Sequence, residues 1–265
     1  MTKVNQTYDE SIGGAAIILL HGFPFNSSMW HGQLEFLGAR GYPAGAPELN
    51  RKVVTASGQE YSPAVRTMDE MARDVAALMD RSCIDRAVIC GLSMGGYVAF
   101  EFAQLFPKRV RALVLAGTRA PADNEQEKAG REQQVQTMLR AGMVPISIAT
   151  VPKLLAPNSV STKPDVVKQV REMITNTHPV LAAAAQRGMA ARRDYVDDLK
   201  KIDVPTLIIV GREDPIRPVA DSEFMQERIQ NSQLLVIDDA SHLTNMEQPD
   251  IFNEALAAFL GSFRR

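Results

Sequence analysis

Ala87-Val88-Ile89-Cys90-Gly91-Leu92-Ser93-Met94-Gly95-Gly96-Tyr97-Val98-Ala99-Phe100 is the stretch whose reading decides the fold. Its first four residues are apolar and suit a buried strand. Tyr97, Val98, Phe100 and Ala103 suit the inner face of a helix. Between them lies Gly91-Leu92-Ser93-Met94-Gly95, a G-x-S-x-G pentapeptide. A serine on a tight strand-to-helix turn is forced into a sparsely populated backbone conformation, which lifts its hydroxyl clear of the sheet. Gly91 and Gly95 are expected where the turn leaves no room for a Cβ. The Met94 N–H then lies at a helix N-terminus, where an anion is favoured. The bland alternative is a Gly/Ser turn without chemistry, so the rest of the chain must supply a base, an acid and a second donor.

Outward from this stretch, strand-like and helix-like segments alternate. Ile17-Ile18-Leu19-Leu20 is a continuous apolar run, as in a parallel strand covered on both faces, and it leads into His21-Gly22-Phe23-Pro24. Ser27 or Ser28 is expected to cap a helix over 29–40, with Trp30, Leu34 and Leu37 inward and Gly41 closing it. Pro43–Pro47 reads as a short strand or turn, and 48–66 as a loop by composition. Thr67 with Glu70 makes a capping box before Met68, Met71, Val75, Leu78 and Met79, which recur at helical spacing. Val110–Ala116, Thr206–Val210 and Leu234–Ile237 read as further strands. Helices are expected over 219–229 and 251–263. Residues 119–196 hold no strand-like run but four helix-like segments, near 124–141, 144–155, 164–175 and 179–193. This predicts a parallel sheet with helices on both faces. The core domain would comprise 1–118 and 197–265, and 119–196 an all-helical cap.

Composition narrows the function. The chain has 265 residues, 45% of them hydrophobic, which suffices for one large core. The 29 Lys and Arg nearly balance the 31 Asp and Glu, and no basic run occurs, so nucleic acid is not an expected partner. Ala15–Leu20 is too short to span a membrane, and the polar segment before it is unlike a signal peptide. The two cysteines, Cys83 and Cys90, form no disulfide framework, and a reduced cytoplasmic setting is expected. No clustered Cys/His pattern suggests a metal, and no G-x-G-x-x-G follows the first strand, so no cofactor is expected.

In open α/β sheets ligands gather at the carboxyl ends of strands. His21-Gly22-Phe23, Ser93, Asp214 in Gly211-Arg212-Glu213-Asp214-Pro215, and His242 in Asp238-Asp239-Ala240-Ser241-His242 all fall at such ends. His242 suits a general base because an imidazole titrates near neutrality. His21, His31 and His178 read as structural or surface groups. For the acid, Asp214 competes with Glu213, Asp238 and Asp239, of which the last two lie close to His242 in sequence. Asp214 is the expected residue, giving the chain order Ser93, Asp214, His242.

Over nearly its whole length the sequence resembles the α/β-hydrolase superfamily. The resemblance rests on His21-Gly22-Phe23-Pro24, Gly91–Gly95, Gly211-Arg212-Glu213-Asp214 with Pro218, and Ser241-His242 with Glu247 and Pro249. Gly91–Gly96 and the helical insertion are similar to small bacterial carboxylesterases and the 3-oxoadipate enol-lactonase group. The resemblance implies an α/β-hydrolase fold with Ser93 as nucleophile, Asp214 as acid and His242 as base. It also implies an oxyanion hole formed by the N–H groups of Phe23 and Met94. The chain departs from the family at Ser241, where relatives usually carry Gly, and in the 47–58 segment. The edge of the sheet before Ile17 is expected to be reduced.

The expected activity is hydrolysis of a small carboxylic ester or lactone through acyl-Ser93. Perhydrolysis or carbon–carbon bond hydrolysis could use the same triad, and a non-catalytic ligand-binding protein is the alternative of another class. Met138, Leu139, Met143, Ile146, Ile148, Leu154, Leu155, Met173, Leu181 and Met189 are candidates to roof an apolar pocket. Arg119, Arg140 and Arg187 are candidates to pair with a substrate carboxylate.

Overall fold

The computed structural model describes residues 16–54 and 60–262. Its central strands are the apolar runs read from the sequence: β1 (Ala16–Leu20), β5 (Ala87–Leu92), β6 (Val110–Ala116), β7 (Thr206–Gly211) and β8 (Ser232–Ile237). With the short β2 (Ala44–Gly45) they form one six-stranded sheet, ordered β2-β1-β5-β6-β7-β8, in which every pairing is parallel. Alternate side chains enter two separate cores. Ile17, Leu19, Val88, Cys90 and Val114 join one, while Ile18, Leu20, Ile89, Leu113 and Ile208 join the other. This period of two explains why the strands are apolar throughout rather than alternating: helices cover both faces.

On the first face lie α1 (His31–Ala39) and α11 (Pro249–Gly261), which contribute Leu37, Phe252, Leu256 and Leu260. Trp30 is buried there, 5.9 Å from the Phe252 ring. On the second face lie α2 (Met68–Arg81), α3 (Met94–Leu105) and α9 (Val219–Gln226). The α2 capping box forms as expected: the Thr67 hydroxyl accepts from Glu70 N, and the Glu70 carboxylate accepts from Thr67 N. Cys90 is buried in β5, and desolvation pushes its thiol pKa up, as for an inert core residue.

Several expectations need correction. Asn26, not Ser27 or Ser28, caps a short 3-10 turn over Ser27–Trp30 that precedes α1. The 48–66 segment contains an antiparallel pair, β3 (Val53–Val54) with β4 (Glu60–Tyr61). The α9 helix stops at Gln226. The expected reduced edge before Ile17 falls in 1–15, outside the described residues.

Between β6 and β7 the chain forms five helices rather than four: α4 (Glu125–Ala141), α5 (Val144–Leu154), α6 (Pro157–Thr162), α7 (Pro164–Asn176) and α8 (Pro179–Ala190). Only six residues long, α6 lies below the length at which helical periodicity shows. The two ends of this segment are clamped by Asp123, whose side chain is 1% exposed. It accepts from Arg119 Nη2 at 2.8 Å, from Arg192 Nη1 at 2.7 Å and from Arg131 Nε. Burial works to raise the Asp123 pKa, but the Arg131 bond and charge, reinforced by Arg192, outweigh it and hold the carboxyl well below the usual range.

A carboxyl depressed in the folded state contributes stability above its unfolded pKa, near 4, and loses it as pH falls through the folded value. Asp123→Asn is therefore expected to destabilise the protein at neutral pH by roughly 3–5 kcal/mol, as when a buried pair loses one partner. The gap to wild type should narrow below about pH 4. Urea denaturation at both pH values checks this, and an equal difference at the two would refute it.

Candidate active site

Ser93 sits between β5 and α3 with φ 55° and ψ −110°, a conformation that non-glycine residues rarely adopt. Such strain costs on the order of 1–3 kcal/mol and persists only where the surroundings impose it. Here Ser93 N donates to Ala116 O at 2.8 Å, and Ser93 O accepts from Thr118 Oγ1 at 3.0 Å. A Cβ on Gly91 would overlap the Gly95 carbonyl, and one on Gly95 would overlap the Leu20 carbonyl of β1. The turn therefore exists because two glycines let three backbone segments touch.

The expected acid and base, Asp214 and His242, follow β7 and β8. Asp214 Oδ2 lies 2.7 Å from His242 Nδ1, and both residues are buried. Asp214 Oδ1 accepts from Ile216 N at 2.8 Å and Arg217 N at 2.9 Å. With its oxygens so engaged, the carboxylate accepts a hydrogen bond from His242 Nδ1–H, and among the described residues Nε2 has no partner. The competing acids are placed elsewhere. Glu213 and Asp239 are exposed, and Asp238 pairs with Arg212. The Arg217 guanidinium donates to Tyr97 OH at 2.5 Å, tying the Asp214 turn to α3 one turn beyond Ser93. Burial raises the Tyr97 pKa, but the charges of Arg217, Arg192 and Arg131 reverse this and leave it lowered.

Gly117, with φ 49°, lies beneath the histidine: a Cβ there would be 3.3 Å from His242 Nδ1. It directly follows Ala116, whose carbonyl holds Ser93. The end of β6 is thus the common floor of Ser93 and His242.

After β1, His21 is fully buried. Its Nδ1 donates to Gly22 O at 2.9 Å and its Nε2 accepts from Leu49 N at 2.9 Å, which defines a neutral ring. Burial lowers its pKa in keeping with that state, outweighing the Gly22 bond and the Glu48 charge. His21 is therefore structural, as expected, and fixes the turn that presents Phe23. Among the described residues neither the Phe23 N–H nor the Met94 N–H has a hydrogen-bond partner. Both can donate to an anion, and the Met94 N–H adds the positive end of α3.

The remaining candidates separate clearly. His31 and His178 are exposed, and the His178 ring accepts from Val180 N. Arg119 pairs with Asp123 and Glu127, Arg187 with Glu132, and Arg140 donates to Gln136 O, so all three already have protein acceptors. Leu139 and Ile148 are 46% and 73% exposed and roof nothing. Met138, Met143, Ile146, Leu154, Leu155 and Met173 share the core that Phe23 packs against. Among the described residues no group of His, Cys, Asp and Glu side chains is arranged to hold a metal ion. No described helix is long and apolar enough to cross a membrane.

Gly117 and Thr118 escaped the sequence reading. Their signal was a Gly-Thr pair at a strand end, where only pairing in the sheet shows what it faces.

A family match to the alpha/beta hydrolase fold spans residues 15–249, and the chain belongs to that family. Among curated relatives, 3-oxoadipate enol-lactonase 2 of Acinetobacter baylyi is 29% identical over 248 residues, covering 94% of this chain and 89% of its own. The pimeloyl-[acyl-carrier protein] methyl ester esterase of Aeromonas hydrophila is 27% identical, covering 94% of this chain and 96% of its own. Among solved structures, a thermophilic esterase from Thermogutta terrifontis, with malate bound, superposes with a TM-score of 0.89 at 36% identity. That match covers 95% of this chain and 91% of that one. Fold and relatives together support a hydrolase.

Because no rotamer relieves a backbone overlap, Gly91→Ala is expected to cost several kcal/mol, beyond the roughly 1–3 kcal/mol of ordinary overpacking. A melting temperature within a few degrees of wild type would contradict this reading of the turn.

Proposed function

We propose that this protein is a serine hydrolase that cleaves small carboxylic esters or lactones through an acyl-Ser93 intermediate. The observation that carries the reading is the buried 2.7 Å bond between Asp214 Oδ2 and His242 Nδ1 at a sheet end shared with the strained Ser93 turn.

The reaction follows from the roles these groups can play. Ser93 is a poor nucleophile until a base takes its proton. His242 Nε2 accepts that proton as Ser93 Oγ attacks the ester carbonyl. Asp214 keeps the imidazole in the Nδ1–H tautomer and stabilises the imidazolium. The oxyanion of the tetrahedral intermediate accepts from the Phe23 and Met94 N–H groups. Each such donor contributes on the order of 10²–10³ in rate when preorganised. Collapse transfers the His242 proton to the departing alkoxide, which is released as alcohol. In a lactone the alcohol stays on the acyl chain. Water, deprotonated by His242, then attacks the acyl-enzyme, and the acid leaves with Ser93 regenerated.

We read 119–196 as a cap over this site, on the core formed by 1–118 and 197–265. The apolar residues it shares with the Phe23 neighbourhood support a small organic ester or lactone as substrate. The chemistry needs no cofactor, metal, nucleic acid or membrane, and a cytoplasmic setting is consistent with the two free cysteines.

Ser93→Ala is expected to lower turnover of a p-nitrophenyl ester by roughly 10⁴–10⁶ with the fold intact. Wild type should be labelled by a fluorophosphonate and the variant should not. Full ester cleavage by the variant would overturn the assignment. A folded wild type that resists the probe and turns over no ester would favour a binding protein instead.

A further inference from the structure

The loop bearing His242 is held from both sides, and one side is the helical segment between β6 and β7. Helix α5 ends at Leu154, so its last carbonyls lack helical partners. The Leu154 carbonyl accepts from His242 N at 3.2 Å and from Leu243 N at 3.3 Å. The carbonyl before it, of Lys153, accepts from the Ser241 hydroxyl at 3.1 Å. The buried Glu247 then bridges the two parts. Its Oε1 accepts from Ser241 N at 2.8 Å and its Oε2 from Ala156 N at 2.6 Å, while Lys163 Nζ donates to the Glu247 carbonyl. Every backbone N–H from Ser241 to Leu243 is thus satisfied by the α5 end or by the carboxylate that also holds it.

We infer that Ser241 and Glu247 are positioning residues that make the placement of His242 depend on docking of the Lys153–Lys163 segment. The inference rests on the hydrolase reading above, in which His242 is the base. Two physical effects follow from the geometry. The first is orientation: a base misplaced by a fraction of an ångström loses rate out of proportion to the energy involved. The second is electrostatic. The end of α5 carries the negative pole of its dipole, and it abuts the residue whose ring becomes positive as Ser93 is deprotonated. The serine at 241 is then explained. Its hydroxyl reaches across to Lys153 O of the helical segment at 3.1 Å and lies 3.3 Å from Glu213 O, beside Asp214. Ile148 and Val144 leave the outer face of α5 in solvent, while Ile146, Val151 and Leu154 bury its inner face and its last residue meets the His242 loop.

The test uses wild type and three variants. Ser241→Ala and Ser241→Gly each remove the hydroxyl but keep the backbone N–H that Glu247 accepts. Lys163→Met removes the ammonium from the other side. Four quantities are read: kcat and KM for p-nitrophenyl acetate, the second-order rate of fluorophosphonate labelling, and amide exchange across 151–163 and 240–247. For each variant kcat and the labelling rate should fall together by about three- to tenfold, the scale of one hydrogen bond. KM should stay within about twofold, because what is lost is placement of the base rather than ground-state binding. Exchange should quicken in both segments at once. Unchanged labelling in well-folded variants would overturn the inference, as would faster exchange confined to 240–247. A fall in labelling that only tracks the loss of folded protein, followed by circular dichroism, would also refute it. If instead Ser93→Ala retains full turnover, the hydrolase reading itself fails, which separates the two.

Discussion

Backbone contact between β1 and the first turn of α3 is the constraint on which the rest of the molecule depends. Gly95 lies against the Leu20 carbonyl, and Gly91 against the Gly95 carbonyl, so closely that neither position can hold a methyl group. This contact sets the height of Ser93 above the sheet and its strained φ of 55°. It also brings the residues after β1 beside the residues after β5: a Cβ on Gly22 would lie 3.3 Å from the Leu92 carbonyl. Parallel pairing of β5 with β6 continues the frame: Leu92 is opposite Ala116, so the Ala116 carbonyl is in place to hold Ser93. Gly117 follows and supports His242. The strain at Ser93 is thus borne by the sheet, the element best able to resist relaxation.

The helical segment between β6 and β7 is bonded to the core at several chemically distinct places. Its base is closed by the buried Asp123 and three guanidinium groups. The Arg66 N–H donates to Ala184 O, and Gly188 packs without a side chain on the Arg66 backbone. At the turn after β1, Thr177 Oγ1 donates to Pro24 O at 2.7 Å. At the histidine loop, the end of α5 takes the His242 and Leu243 amides. The segment therefore meets both the loop that carries His242 and the loop that carries Phe23 and Pro24. A buried carboxylate shared by three guanidinium groups closes its root, while the hydrogen bonds at its tip are local and directional.

Much of this was legible in one dimension because the signals are local. Fully apolar runs mark strands covered on two faces, and Thr67 with Glu70 marks a helix start, since cap and box lie within four residues. The glycines of the elbow are legible because only a close approach requires them. Less local features were misplaced. Asn26 displaced the expected serine cap because its side chain reaches Ser28 N two residues on. The ribbon of β3 and β4 went unseen because two-residue strands carry no periodicity. Leu139 and Ile148 looked like pocket residues by type, yet face solvent because helical position, not residue type, sets the direction of a side chain. Arg119 and Arg187 looked available for a substrate, but their carboxylate partners are fixed by packing and, for Arg187, lie on another helix.

The sequence by itself determined the alternation that builds the parallel sheet, the turn that must hold Ser93, and the chain order in which Ser93, the Glu213-Asp214 pair and His242 follow β5, β7 and β8. These are properties of short segments and of their order along the chain. Only the tertiary structure decided which of two adjacent acidic residues, Glu213 or Asp214, meets His242. That choice depends on the direction of one side chain in a turn closed by Ile216 and Arg217 amides. The same holds for the floor at Gly117 and for the anchoring of the histidine loop to α5. Both join residues far apart in the chain, and such contacts exist only once the sheet has aligned its strand ends and the helical segment has docked upon them.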